Sequence, residues 1–153
     1  MTKTYYLAYG SNMNLEQMSK RCPDASIIGK GELDNYQLLF KGTYPDSYAT
    51  IIPNKGTVVP IILWAISEQD ELALDVYEDY PNLYRKEEIN VKINQESYQA
   101  MVYIMNGDPS LTPPTISYYS AILAGYLAND IPIDTLHQAL LDTYESSVIS
   151  EFN

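Results

Sequence analysis

Two short stretches of this 153-residue chain carry residue types that could move a proton and hold a small anion. The first is Leu74-Asp75-Val76-Tyr77-Glu78-Asp79-Tyr80-Pro81-Asn82-Leu83-Tyr84, where a helical pattern ends in a carboxylate set among tyrosines. A carboxylate pressed against aromatic rings loses hydration of its charged form, so its pKa rises and it can shuttle protons near neutrality. The C-terminal end of a helix is also unfavourable for negative charge, which gives Glu78 no electrostatic reason to stand there. Solvated carboxylates at a frayed helix end are the competing account of Glu78 and Asp79. The second stretch is Tyr6-Leu7-Ala8-Tyr9-Gly10-Ser11-Asn12-Met13-Asn14. Here Gly10 permits a backbone conformation that other residues resist, and Ser11 and Asn12 bring side-chain and main-chain donors ahead of a helix. Successive N–H groups at a strand-to-helix turn form a concavity for a carboxylate. A tight turn without a ligand explains the same residues equally well.

Other chemistries find less support. One histidine, His137, cannot supply the ligand set of a zinc site, and no metal or other cofactor is expected. Cys22 and His137 could in principle pair as nucleophile and base, but neither has a signature around it, and a core cysteine with a solvated histidine accounts for both. Gly29-Lys30-Gly31 lacks the spacing and the hydroxyl residue of a phosphate-binding loop, and there is no nucleophile elbow.

The elements that must position the two stretches are legible from periodicity. Residues 4–9 read as a strand, and Asn14 with Gln17 forms a capping box for a short helix closed by Pro23. Four β runs follow at Ser26–Gly29, Tyr36–Phe40, Ala49–Ile52 and Val58–Ile66, separated by turn-forming residues. Ser67 caps a helix over Glu68–Glu78, with Leu72, Val76 and either Ala73 or Tyr77 on its apolar stripe. Tyr84–Ile93 and Tyr98–Met105 flank the polar turn Asn94-Gln95-Glu96 as a hairpin. Helices are expected over Thr115–Ala128, with Ile116, Tyr119, Ile122, Leu123, Tyr126 and Leu127 on one stripe, and over Ile133–Tyr144. Strands dominate and helices do not alternate regularly with them. That pattern predicts an α+β fold, a small mixed, mostly antiparallel β-barrel with flanking helices.

Composition narrows the function. A net charge of −11, with nine scattered basic residues, disfavours nucleic acid, which needs clustered Lys and Arg. No apolar run approaches the roughly 20 residues of a membrane span, and no leader pattern follows Met1. The lone cysteine suits a reducing compartment. A single domain over residues 1–153, cytoplasmic and acting on a small molecule away from membranes and nucleic acid, is the expectation, as a monomer or homodimer. The 15 tyrosines against two phenylalanines suggest a pocket lined by rings with polar tips, the remainder serving as half-exposed strand residues.

Taken together, "YLAYGSNMN" and "LDVYEDYPNLY" resemble the gamma-glutamylcyclotransferase-like superfamily. A third segment agrees: Pro114-Thr115-Ile116-Ser117-Tyr118, then Gly125 and Ile131-Pro132, is similar to that family's C-terminal "PSxxY…G…LP" pattern. The resemblance implies one cavity in which Gly10, Ser11 and Asn12 hold a gamma-glutamyl group, framed by Tyr9 and Met13. It makes Glu78 the acid/base and Tyr84, Tyr103 and Tyr118 pocket tyrosines. Ile61-Ile62-Leu63-Trp64 departs from a glycine-containing family strand. The segment before Glu78 and its spacing to Tyr84 look more like bacterial members and the gamma-glutamylamine branch than the animal gamma-glutamylcyclotransferase.

The implied reaction needs no enzyme nucleophile. In a gamma-glutamyl amide the α-amine attacks its own side-chain carbonyl, closes a five-membered ring and expels the attached amine, leaving 5-oxoproline. The attacking amine must lose a proton and the leaving amine must gain one. A lone carboxylate serves both steps if desolvation lifts it from about 4.3 towards about 6 to 7. With Arg21 and Arg85 as the chain's two arginines, an arginine fork on the substrate carboxylate is the less favoured arrangement. The contrasting hypothesis is a non-catalytic protein that uses the same cavity to hold a small carboxylate. A sheet-edge interaction module has no supporting feature.

Overall fold

The computed structural model describes residues 3–152. The order of elements is β1 (Thr4–Ala8), a 3-10 turn at Ser11–Met13, α1 (Leu15–Arg21), β2 (Ser26–Thr43), β3 (Asp46–Ile66), α2 (Glu68–Tyr77), β4 (Tyr84–Ile93), β5 (Glu96–Met105), α3 (Ile116–Ala128) and α4 (Asp134–Phe152). One mixed sheet runs β2-β3-β1-β5-β4. Its central strand β1 is antiparallel to β3, with Thr4 opposite Ile66 and Ala8 opposite Ile62, and parallel to β5, with Tyr6 opposite Met101. The remaining pairs are antiparallel.

The α+β class and the mostly antiparallel pairing match the expectation, but the sheet is not a closed barrel. Gly29 and Gly31 share one face of β2, and the end of β4 packs onto that face instead of pairing with its edge. A Cβ added at either glycine would stand 2.8 or 2.7 Å from the Ile93 side chain. Among the described residues no ladder joins β2 to β4.

The four β runs expected between residues 26 and 66 merge into one long hairpin: the residues between Phe40 and Ala49 pair up to its turn, and the breaks before Tyr36 and after Ile52 are taken up in the ladder and in one irregularity between Asp34 and Tyr36. There Asn35 adopts φ 64° and its side-chain oxygen accepts from Gly56 N–H at 3.0 Å. Thr57 Oγ1 donates to the Tyr36 carbonyl at 2.7 Å, holding the excursion down. In the second hairpin, Asn94 and Gln95 sit at φ 50° and 73°, the primed two-residue turn whose twist matches its strands. Strand β5 therefore begins at Glu96, two residues earlier than its apolar pattern.

Ile61 to Ile66 are buried on both faces of the sheet, which is why that stretch reads as continuous apolar sequence and not as alternation. Two helices turn differently from their predicted stripes. Helix α2 buries Asp70 and Leu74 and leaves Leu72 and Val76 exposed. Asp70 is spent in a reciprocal capping box with Ser67 and also accepts from Asp24 N–H at 3.3 Å, and this fixes the helix's rotation. Helix α3 buries Ile122, Gly125 and Tyr126 but leaves Ile116 and Leu127 in solvent. Its inward face is chosen by Gly125, where a Cβ would lie 2.7 Å from the Met13 carbonyl carbon. Only a residue without a side chain lets α3 touch the main chain of the 3-10 turn.

Candidate active site

Strand β1 delivers Tyr9 to the mouth of the sheet, and the chain then reverses through the Ser11–Met13 turn. That turn is closed by Met13 N–H to the Gly10 carbonyl and Asn14 N–H to the Ser11 carbonyl, each at 3.0 Å. Opposite it, α2 ends in a Schellman motif. Tyr80 N–H donates to the Asp75 carbonyl at 2.9 Å and Asp79 N–H to the Val76 carbonyl at 3.2 Å, with Asp79 in the left-handed region at φ 51°. Glu78 is the cap residue of that motif, so its position is set by backbone geometry and not by side-chain packing.

Between turn and helix end lies a cavity of about 440 Å³, lined by Tyr6, Tyr9, the Gly10–Asn12 turn, Glu78, Tyr84, Tyr103 and Tyr118, among others. Asn12 Nδ2 reaches the Tyr6 hydroxyl at 2.9 Å and Glu78 Oε1 at 3.4 Å. The Ser11 and Tyr77 hydroxyls lie 2.7 Å apart. Trp64 Nε1 donates to the Asn12 carbonyl at 3.1 Å, pinning the turn to β3. Two tyrosines hold the main chain of one residue: Tyr84 donates to the Ala49 carbonyl at 2.6 Å and Tyr118 accepts from Ala49 N–H at 3.0 Å.

The direction of these bonds decides which hydroxyls can still donate. Tyr9 gives its proton to the Tyr103 carbonyl (2.6 Å), Tyr84 to Ala49 and Tyr103 to the Asp75 carboxylate (2.7 Å). Tyr6 and Tyr118 accept from N–H donors instead. A phenol carries one proton, so among the described residues these two keep theirs for the cavity. Asp75, one turn before Glu78, is itself held by Lys86 at 2.8 Å, and Lys86 also bonds Glu71 at 2.7 Å.

Burial pushes the Glu78 carboxyl up to about 7, with Arg21 pulling in the opposite direction. Burial also raises the phenols of Tyr6, Tyr9, Tyr84, Tyr103 and Tyr118, with the Glu78 charge adding to each. All five rings are therefore neutral donors or acceptors at physiological pH. Among the described residues no group of three His, Cys, Asp or Glu side chains is placed to hold a metal ion, and no helix is long and apolar enough to cross a membrane.

The structure brings Tyr9, Gly10, Ser11, Asn12, Glu78, Tyr84, Tyr103 and Tyr118 to one cavity. Met13 is not there: it is fully buried in the core behind the turn, and its carbonyl accepts from Asn129 Nδ2 at 3.3 Å. Gly10 is needed for a different reason from the expected one. Its φ is −126°, outside the left-handed region, and what matters is closeness: an added Cβ would stand 3.3 Å from Ala49 Cβ and 3.6 Å from the Tyr118 hydroxyl. Sequence reasoning passed over Tyr6, Trp64 and Arg21. The i, i+3 relation of Tyr6 to Tyr9 on one short strand gave no sign of a shared cavity, because Tyr9 lies just past the strand's end.

A strand-turn-helix that faces a desolvated helix-end carboxylate across a tyrosine-lined cavity, on a five-stranded α+β sheet, places the protein in a definite class. The chain belongs to the gamma-glutamyl cyclotransferase, AIG2-like family, whose model matches residues 6–120. It is 27% identical over 154 residues to the gamma-glutamylcyclotransferase of Bos taurus, covering 92% of this chain and 78% of that protein. A solved gamma-glutamyl cyclotransferase has a similar fold, with a TM-score of 0.79 at 22% identity, over 90% of this chain and 86% of the other. An AIG2-like protein from Mus musculus matches with a TM-score of 0.59 at 20% identity, over 77% and 83% of the two chains.

Proposed function

We propose that the protein is a cyclotransferase that converts a gamma-glutamyl amide or peptide into 5-oxoproline and a free amine, with Glu78 as the acid/base. The observation that carries this reading is a carboxylate pushed up to about 7 by burial, facing the Gly10–Asn12 turn across a tyrosine-lined cavity. At that value it is half ionised near neutrality, so it can accept a proton and return one within a single turnover. A protein that merely holds a carboxylate gains nothing from a second, desolvated negative charge beside its ligand.

In the reaction Glu78 removes a proton from the substrate's α-ammonium, and the freed lone pair forms the new C–N bond at the side-chain carbonyl. The carbonyl π electrons move to oxygen, where the free hydroxyl protons of Tyr118 and Tyr6 supply donors. Protonated Glu78 then gives its proton to the leaving nitrogen, the old C–N bond breaks and the carbonyl re-forms. Glu78, ionised again, takes the second proton from the ring nitrogen and passes it to the released amine, so the α-nitrogen loses two protons, the leaving nitrogen gains two, and the reaction balances without water or an external nucleophile. The first amides of the Ser11–Met13 turn have no intrahelical acceptor and suit the substrate's α-carboxylate. Folding the substrate so that amine and carbonyl meet can supply up to roughly 7–11 kcal/mol of the barrier reduction.

The test is incubation with a panel of gamma-glutamyl amino acids, gamma-glutamylamines and glutathione, assayed for 5-oxoproline. Product from at least one member is expected, and none from Glu78→Gln, which should remain folded and still bind the substrate. Silence across the panel, or full activity in Glu78→Gln, overturns the reading.

A further inference from the structure

Arg21 belongs to none of the motifs that define the cavity and does not line it, yet it touches the residues that do. Its guanidinium donates to Asn12 Oδ1 through Nη1 and to Gln17 Oε1 through Nη2 at 3.4 Å. Its Cζ also stands 3.5 Å from the centroid of the Tyr77 ring, a stacked cation–π contact. The chain has one other arginine, Arg85, and that one is spent on Glu87 and the Met105 carbonyl away from the cavity.

A guanidinium has donors and no acceptor. The end of the Asn12 amide that faces it must therefore be the oxygen, and the NH₂ must face the other way. There it meets the Tyr6 hydroxyl and Glu78 Oε1. Because Tyr6 accepts from that NH₂, its own proton is left for the cavity. One donor-only group thus sets the direction of every bond along Arg21, Asn12, Tyr6 and Glu78. By stacking on Tyr77, whose hydroxyl pairs with Ser11 Oγ, the same side chain fixes the second residue of the turn. We infer that Arg21 is a positioning residue of this site, holding the Asn12 amide with its NH₂ towards Glu78 and holding Ser11 through Tyr77. This inference rests on the cyclotransferase reading for its kinetic consequences but not for its structural ones.

The groups facing Glu78 come from every neighbouring element. They are Tyr6 and Tyr9 at β1, Asn12 in the turn, Asp46 and Tyr48 of β3, Tyr84 of β4, Tyr103 of β5, Tyr118 of α3, and Tyr77 and Asp79 on its own element. The phenols are neutral and Asp46 and Asp79 are acidic residues, so the stabilising influence on the Glu78 anion comes from Arg21, directly and through the amide it orients. Replacing Arg21 with an uncharged residue should raise the Glu78 pKa further. A side chain that served only to pack α1 would not move it.

The experiment has two independent readouts. Carbon-13 NMR of labelled glutamate follows the Glu78 titration in the free protein, with Glu78→Gln assigning the resonance, and needs no turnover. Steady-state kinetics across pH follow 5-oxoproline release. For Arg21→Met we expect the Glu78 midpoint to rise by about one pH unit, the acid limb of kcat/KM to move with it, and plateau kcat to fall about tenfold from misplacement of the turn. Arg21→Lys, which keeps charge and donors, should return the midpoint to near the wild-type value and recover most of kcat. Should Arg21→Met fail to fold, Arg21→Gln carries the same expectation for the midpoint, being neutral too. A folded neutral variant whose Glu78 midpoint stays at the wild-type value overturns the inference. If the midpoint moves as expected while the wild-type protein releases no 5-oxoproline, Arg21 keeps its role and the cyclotransferase reading falls.

Discussion

Glu78 stands where its charge is costly, and that cost has measurable signs. As a base it must be ionised, so kcat/KM should rise with pH through about 7, the value to which burial pushes it; a profile flat from pH 5 to 8 would remove it from the mechanism. Stability should run the other way. A carboxyl at about 7 when folded and 4.5 ordinarily binds its proton more tightly in the native state. Its contribution is therefore full at low pH and is lost as pH rises from 4.5 to about 7. Glu78→Gln, which cannot ionise, should match the wild type at pH 4 and exceed it by roughly 1–3 kcal/mol at pH 8, measured as urea midpoints. The sequence pointed to this residue because a carboxylate at a helix C-terminus beside three tyrosines gains nothing electrostatically from the helix. Arg21 was hidden because its partners are chosen by how α1 packs, which spacing along the chain does not encode. Met13 misled for the opposite reason: adjacency to the turn placed it near the cavity, while its side chain points into the core.

Helix ends and glycine contacts are what hold the two halves of the site at their separation. On one side the Schellman motif fixes Glu78; on the other, Gly125 seats α3 against the carbonyl of Met13 and so braces the turn from behind. Gly125→Ala forces a Cβ to within 2.7–2.9 Å of main-chain atoms of Met13 and Asn14, which cannot swing aside. We expect a loss of about 1–3 kcal/mol in unfolding free energy together with a raised KM, since the turn must shift. An unchanged KM would mean that the turn is held without α3. Most of these elements were readable from caps and periodicity, including Asn14 and Ser67 as N-caps. Their rotations were not. In α2, Leu72 and Val76 make the better apolar stripe, yet the buried capping carboxylate of Asp70 turns them outward.

For the whole molecule the governing quantities are charge and connectivity. With 20 acidic and nine basic side chains, the folded protein repels itself, and the effect is longest-ranged at low salt. Raising ionic strength from about 0.01 M to about 0.15 M shortens the screening length from about 30 Å to about 8 Å. The melting temperature should rise over that interval, and a fall would show that ion pairs such as Lys86 with Glu71 and Asp75 outweigh the net repulsion. The α+β class was legible from strand and helix patterns, but the open sheet was not, since closure depends on how Gly29 and Gly31 meet Ile93 across a long separation in sequence. The central position of β1 also bears on the order of events during synthesis. Thr4–Ala8 leaves the ribosome before every other strand of the sheet, yet the slot that receives it has β3 for one wall and β5 for the other. That slot is complete only when Met105 has been made. The segment leading into the Gly10–Asn12 turn therefore waits, one edge unpaired, until β5 has been made. A nascent chain stalled between the two hairpins presents an apolar strand edge of the kind that chaperones bind and that misassembly exploits.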